Sequence, residues 1–225
     1  VYDHPDSLTR INPDLKQRLS GETEDQALAV ADIDGDGDAD VITQRPGIGK
    51  LNTFLNDGAG TFSYRQQIGG AQTHAGTDEV AIEAADVDGD GDIDIIQKSS
   101  LSASFITLLN DGNGNFSAGT TTNISAQVAS PGNSVALSAG DLDGDGDIDL
   151  LLENEGQNGF FSYLNNGTGN FTFHTSSATS HSFSGGGISL GLGDIDGDGD
   201  LDVLRKYDSS NNTLVFLNDG TGAFT

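Results

Sequence analysis

Cysteine is absent from this chain, which excludes disulfides, thiolate metal sites and cysteine nucleophiles together and leaves a fold that must hold without covalent staples. Bases are scarce: nine Lys and Arg stand against 35 Asp and Glu, for a formal charge of -26. Such a field repels nucleic acid, anionic lipid and acidic polysaccharide, and it attracts cations. No apolar run is long enough to span a bilayer, so direct membrane insertion is not expected. The chain opens at Val1 without methionine, basic leader or apolar signal core, which reads as a processed or excised segment.

What is present is a repeat. DIDGDGDAD at 32–40 returns as DVDGDGDID at 86–94, DLDGDGDID at 141–149 and DIDGDGDLD at 194–202, with spacings of 54, 55 and 53 residues. These four loops hold 20 of the 35 acids, so the negative charge is concentrated rather than spread. A second signature keeps the same spacings: LNDGAGTF at 55–62, LNDGNGNF at 109–116, LNNGTGNF at 164–171 and LNDGTGAF at 217–224. A fixed period of this size marks an array of small supersecondary units.

Short apolar segments flank each aspartate loop, as ALAVA before the first and VITQ after it. They are four to six residues long and partly β-branched, which predicts strands and makes each loop the tip of a hairpin. The Asn-Asp-Gly or Asn-Asn-Gly signature, with a second Gly, supplies the positive-φ positions of another tight reversal. Each period therefore encodes four antiparallel strands, the pattern of a propeller blade. The predicted fold is all-β, a β-propeller-type array of four four-stranded antiparallel blades. We divide it into an N-terminal segment 1–20, repeats at 21–73, 74–129 and 130–182, and an incomplete repeat at 183–225. The gap from signature Phe to the next loop is 24, 25 and 23 residues, and only Thr225 follows Phe224. Counting back 24 from Asp32 reaches Leu8, so Leu8–Ile11 is the expected closing strand of the fourth blade, in cis or from a neighbouring copy.

Alternate aspartates in a glycine-bent loop bring several hard oxygens onto one centre, which suits calcium with its roughly six to eight oxygen ligands. Positions 1, 3, 5 and 9 of each loop are assigned to side-chain ligation and position 7 to its backbone carbonyl. The metal-site residues are thus Asp32, Asp34, Asp36, Asp38 and Asp40; Asp86, Asp88, Asp90, Asp92 and Asp94; Asp141, Asp143, Asp145, Asp147 and Asp149; and Asp194, Asp196, Asp198, Asp200 and Asp202. An EF-hand or dockerin loop needs an acid at position 12, where these loops carry Thr43, Gln97, Leu152 and Arg205. Magnesium fits less well, because its strict octahedron retains water. Without a cation the loops face repulsion of about 4 kcal/mol per carboxylate pair at 4 Å and an effective dielectric near 20.

The DxDGDGxxD loops with their LNxGxGxF turns resemble FG-GAP or VCBS-type repeats, the units of the integrin α propeller and of many bacterial surface proteins. That resemblance implies propeller blades with calcium in the loop joining the first two strands. The reading is a calcium-stabilised, non-catalytic extracellular structural or adhesion module binding four Ca2+. Its partners are calcium and either a second copy or a surface glycan or protein. One alternative is a filament subunit assembled by N-terminal strand exchange. Another is a lectin, with shallow sites between blades lined by Phe105, Phe160, Phe161, Tyr163 and Phe183. A polysaccharide-lyase propeller would break the repeat with residues unique to one unit, for which the candidates are His74, His174, His181, Tyr163, Tyr207, Arg205 and Lys206.

Overall fold

The computed structural model describes residues 27–45, 50–69, 80–127, 135–154, 159–178, 188–207 and 213–225, and every regular element among them is a strand. Blade 1 holds β1 (Ala27–Ala31), β2 (Asp40–Arg45), β3 (Lys50–Asn56) and β4 (Phe62–Gly69). Blade 2 holds β5 (Val80–Ala85), β6 (Asp94–Ser99), β7 (Ser104–Asn110) and β8 (Phe116–Asn123). Blade 3 holds β9 (Val135–Gly140), β10 (Asp149–Asn154), β11 (Gly159–Leu164) and β12 (Thr172–Ala178), and blade 4 holds β13 (Ile188–Gly193), β14 (Asp202–Tyr207) and β15 (Thr213–Phe216).

Each blade is an antiparallel meander with its strands in chain order, and the four blades are arranged as in a β-propeller. Blade 4 has three strands among the described residues, extended by an isolated bridge from Asn218 to Phe224. The fourth strand expected there from Leu8–Ile11 lies outside the described residues.

Register follows from the loops. Ala31 pairs with Asp40, Ala85 with Asp94, Gly140 with Asp149 and Gly193 with Asp202, so the last aspartate of every loop begins the outgoing strand. The second hairpin carries a register shift at equivalent points, Thr53/Phe54, Ile106/Leu108 and Ser162/Tyr163. A bulge of this kind sharpens the strand twist and re-aims the side chains beyond it.

The core lies between blades, because successive sheets bury their facing sides on each other. Ile33, Ile42, Leu51, Ile68, Ile95 and Phe116 fill the space between blades 1 and 2. Ile96, Phe105, Leu150, Phe161, Tyr163 and Phe171 fill that between blades 2 and 3. Leu142, Leu151, Phe160 and Val203 do so between blades 3 and 4. The innermost strands carry the sequence of packing, β1 on β5, β5 on β9 and β9 on β13. Edge-to-face aromatic pairs add to it, with Phe105 and Tyr163 at 5.4 Å and Phe160 and Phe224 at 5.3 Å between ring centres.

Candidate metal centres

The first aspartate of each loop shapes the turn. Asp32 accepts the Gly35 and Gly37 N–H groups, each at 2.9 Å, and Asp86, Asp141 and Asp194 do the same for their own glycines. Gly37, with φ of 93°, is where the backbone needs a residue without Cβ. The fifth-position aspartates Asp36, Asp90, Asp145 and Asp198 accept the N–H two residues on, at 2.9 to 3.0 Å.

The ninth-position aspartate is a buried clasp. Asp40 takes the Ile33 N–H at 2.9 Å and the Asn56 N–H at 2.8 Å, tying the aspartate loop to the second turn of its blade. Asp94, Asp149 and Asp202 hold equivalent pairs, Val87 and Asn110, Leu142 and Asn165, and Ile195 and Asn218. Burial pushes Asp94 and Asp149 up to about 6 against these hydrogen bonds, whereas in Asp202 the N–H groups of Asn218 and Ile195 dominate and lower it.

The third-position aspartates face the loop centre. Burial first, and then neighbouring carboxylates, holds Asp34, Asp88, Asp143 and Asp196 above the usual range. Asp34 Oδ1 and Asp88 Oδ1 are buried without a hydrogen-bond partner. Carboxylate oxygens of Asp32, Asp34 and Asp36 lie within 4.8 Å of one another, as do those of Asp86, Asp88 and Asp90. In the later loops the sets are Asp141, Asp143 and Asp149, and Asp194, Asp196 and Asp202. An ionised carboxylate only accepts, so these oxygens, facing other carboxylates, could be satisfied by a cation. The donor set is all oxygen, which fits a hard divalent ion.

The seventh-position side chains sit elsewhere. Asp38, Asp92, Asp147 and Asp200 cover Gly58, Gly112, Gly167 and Gly220 of the second turn, where a Cβ on Gly112 would lie 2.6 Å from Asp92 Oδ2. The second turn is thus fitted under the aspartate loop. Its Asn, read in the sequence only as a turn former, also bridges blades. Asn110, Asn165 and Asn218 donate at 2.8 Å to the carbonyls of Ile33, Val87 and Leu142 in the preceding blade's loop. The identical spacings of the two motifs were the available signal of this coupling.

The candidate catalytic residues among those described have separate places in the fold. Tyr163 is in the core, Arg205 forms a buried ion pair with Glu153, His174 and Lys206 are exposed, and His74 and His181 lie outside the described residues. Tyr207 lies on β14 and His174 on β12. The candidate lectin aromatics Phe105, Phe160, Phe161 and Tyr163 are buried between blades, and Phe183 lies outside the described residues. They pack because successive blades present apolar faces to each other.

Among solved structures, a lectin from Agrocybe aegerita, described as recognising non-reducing terminal N-acetylglucosamine, aligns at 27% identity and a TM-score of 0.60. The alignment covers 87% of this chain and 49% of the lectin, so the chain spans about half the length of that relative. A Photorhabdus luminescens Tc holotoxin pore aligns at 15% identity and a TM-score of 0.47, over 90% of this chain and 12% of the toxin. No curated protein gives a significant match. The FG-GAP-like repeat model matches residues 32–96, 102–152 and 153–205, and the chain belongs to this repeat family.

Proposed function

We propose that this protein is a calcium-stabilised, non-catalytic structural or adhesion module that works outside the cell. The observation that carries the reading is the fourfold recurrence of three converging carboxylates, with buried, unpartnered oxygens on Asp34 and Asp88. The first-, third- and fifth-position aspartates of the first two loops, and the first-, third- and ninth-position aspartates of the later two, would hold the ion. The ion supplies charge neutralisation, taking the formal charge from -26 to -18 when four sites fill. At free calcium tenfold above Kd each site adds about 1.4 kcal/mol, and four together add roughly 5 to 6. That is comparable to the whole stability of many domains. Extracellular calcium modules bind at about 0.1 to 1 mM, a range that places filled sites outside cells and empty ones in cytosol. Among the described residues no helix is long and apolar enough to cross a membrane.

Thermal melting in millimolar calcium, in magnesium and in chelator tests the reading. Calcium should raise Tm strongly and magnesium weakly; equal Tm in all three would remove it.

Glycan binding is a second reading, favoured by the lectin likeness and by a cleft of about 240 Å³ between the loops of blades 2 and 3. Asp86, Asp147 and Asn165 are among its polar lining. Glycan-array binding that is lost in Asn165→Ala while the fold is retained would favour it over a purely structural role.

A further inference from the structure

Blade-on-blade packing occurs three times within the chain, so each blade face can be judged against its repeat equivalents. Ile42, Ile96 and Leu151 face the following blade and are 0% exposed, whereas the equivalent Leu204 on blade 4 is 41% exposed. The second residue of the aspartate loop behaves alike: Ile33, Val87 and Leu142 are 1% exposed, and Ile195 is 44% exposed. Leu217 is exposed on that same face of blade 4.

The opposite face of blade 1 mirrors this. Leu28 pairs with Thr43 as Ile82 does with Gln97 and Leu137 with Leu152, which makes the three residues equivalent. Ile82 and Leu137 are 8% and 6% exposed against their preceding blades, and Leu28 is 65% exposed. Val30, two residues on, is also exposed. A polar contact is open in the same place. Asn110, Asn165 and Asn218 each donate to a carbonyl of the preceding blade, but Asn56 donates only to Ala39 O in its own loop among the described residues. The carbonyl equivalent to the three acceptors is that of Ile195, on the exposed face of blade 4.

We propose that blade 4 of one copy docks face to face on blade 1 of a second copy of this chain. Ile195, Leu204 and Leu217 cover the partner's Leu28 and Val30, and the partner's Asn56 donates to Ile195 O. The occupant is a second copy because the two exposed faces are the complementary halves of an interface that the chain already forms three times, and one chain carries both halves. Contiguous exposed apolar surface of this kind marks an interaction site. The contact is heterologous, so it either closes two arcs into a ring or propagates. It uses blade faces rather than strand exchange and does not depend on which ion fills the loops.

Sedimentation of the 225-residue chain in calcium, over a wide concentration range, tests the proposal. The wild type should reach at least twice the 23.2 kDa of the chain. Leu204→Glu and Leu28→Glu, which mark opposite faces, should each lose this association while keeping the wild-type circular dichroism and calcium response. Mixing the two variants should restore a dimer, because each retains the face that the other lacks. If Leu204→Glu or Leu28→Glu fails to fold, Leu217→Ser and Val30→Ser replace them. A wild type that stays monomeric overturns the proposal, as it would if blades of a longer polypeptide covered these faces. Association that survives both substitutions, or a mixture that stays monomeric, overturns it as well.

Discussion

Asn165→Ala removes one of the bonds that tie blade 3 to blade 2, beside the Gly169 N–H on the same Val87 carbonyl. The Asn165 amide donates to Val87 O at 2.8 Å and to Ile148 O at 3.0 Å, and its Oδ1 accepts the Asn166 N–H at 2.9 Å. Alanine removes all three contacts but leaves the backbone N–H of residue 165 on Asp149, so the clasp itself persists. Ile148 O loses its side-chain donor, a loss that costs about 1 to 3 kcal/mol, while Val87 O loses one of two donors and keeps the Gly169 N–H at 2.8 Å, so roughly 2 kcal/mol is expected once partial rehydration is allowed. For a chain of this size that corresponds to a fall in Tm of about 4 to 8 °C. Asn56→Ala, measured at concentrations where the chain is monomeric, is the internal control, because among the described residues Asn56 donates to Ala39 O of its own loop and to no preceding blade. It should cost only about 1 kcal/mol. Urea denaturation of both variants in saturating calcium measures the difference. Equal costs at the two positions, or a loss below 1 kcal/mol at Asn165, would refute the cross-blade role.

Three further outcomes follow from the same structure. Burial raises Glu83 from 4.5 to about 7, so its charge opposes folding above pH 7 and is absent below pH 4.5. Relative to Glu83→Gln, the wild type should lose roughly 3 kcal/mol as pH rises through this window, read as denaturation midpoints at pH 4 and pH 8, and a pH-independent gap would contradict it. Arg205→Met should cost about 3 to 5 kcal/mol by stranding the buried Glu153, and Arg205→Met with Glu153→Met should recover most of the loss; no recovery in the double variant would count against a paired charge. Gly112→Ala, at φ of 72° and under Asp92, should cost at least about 1 to 2 kcal/mol and weaken calcium binding at the second loop, detectable as a lower Tm gain on adding calcium.

The blades were legible in the sequence because their determinants are local. Alternating Asp and Gly fix the loop, Asn-Asp-Gly fixes the second turn, and the short segments between them match β1 to β4 within a residue or two. What the sequence concealed depends on contacts across blades. Asn110, Asn165 and Asn218 reach carbonyls 76 to 78 residues away, and nothing in LNDG announces that distance. Arg205 and Tyr163 broke the repeat and so resembled functional residues. One neutralises Glu153 from the neighbouring blade and the other stacks edge-on against Phe105. The seventh-position aspartates were assigned only a backbone carbonyl, which left their side chains without a role; these turn toward the second hairpin, which only the packed blade reveals. The resemblance to FG-GAP repeats indicated the architecture; the role of Asn56, Leu28 and Leu204 needed the comparison of buried and exposed equivalents.

The central claim, that four repeated loops each hold one calcium ion, is tested most directly by counting. Equilibrium dialysis of the chelator-stripped chain against millimolar calcium, with the bound metal measured by elemental analysis, should give four ions per chain. The count should fall to three when Asp86, Asp88 and Asp90 are replaced by Asn. A chain that binds no calcium under these conditions, or whose count is unchanged by that triple substitution, would contradict the account.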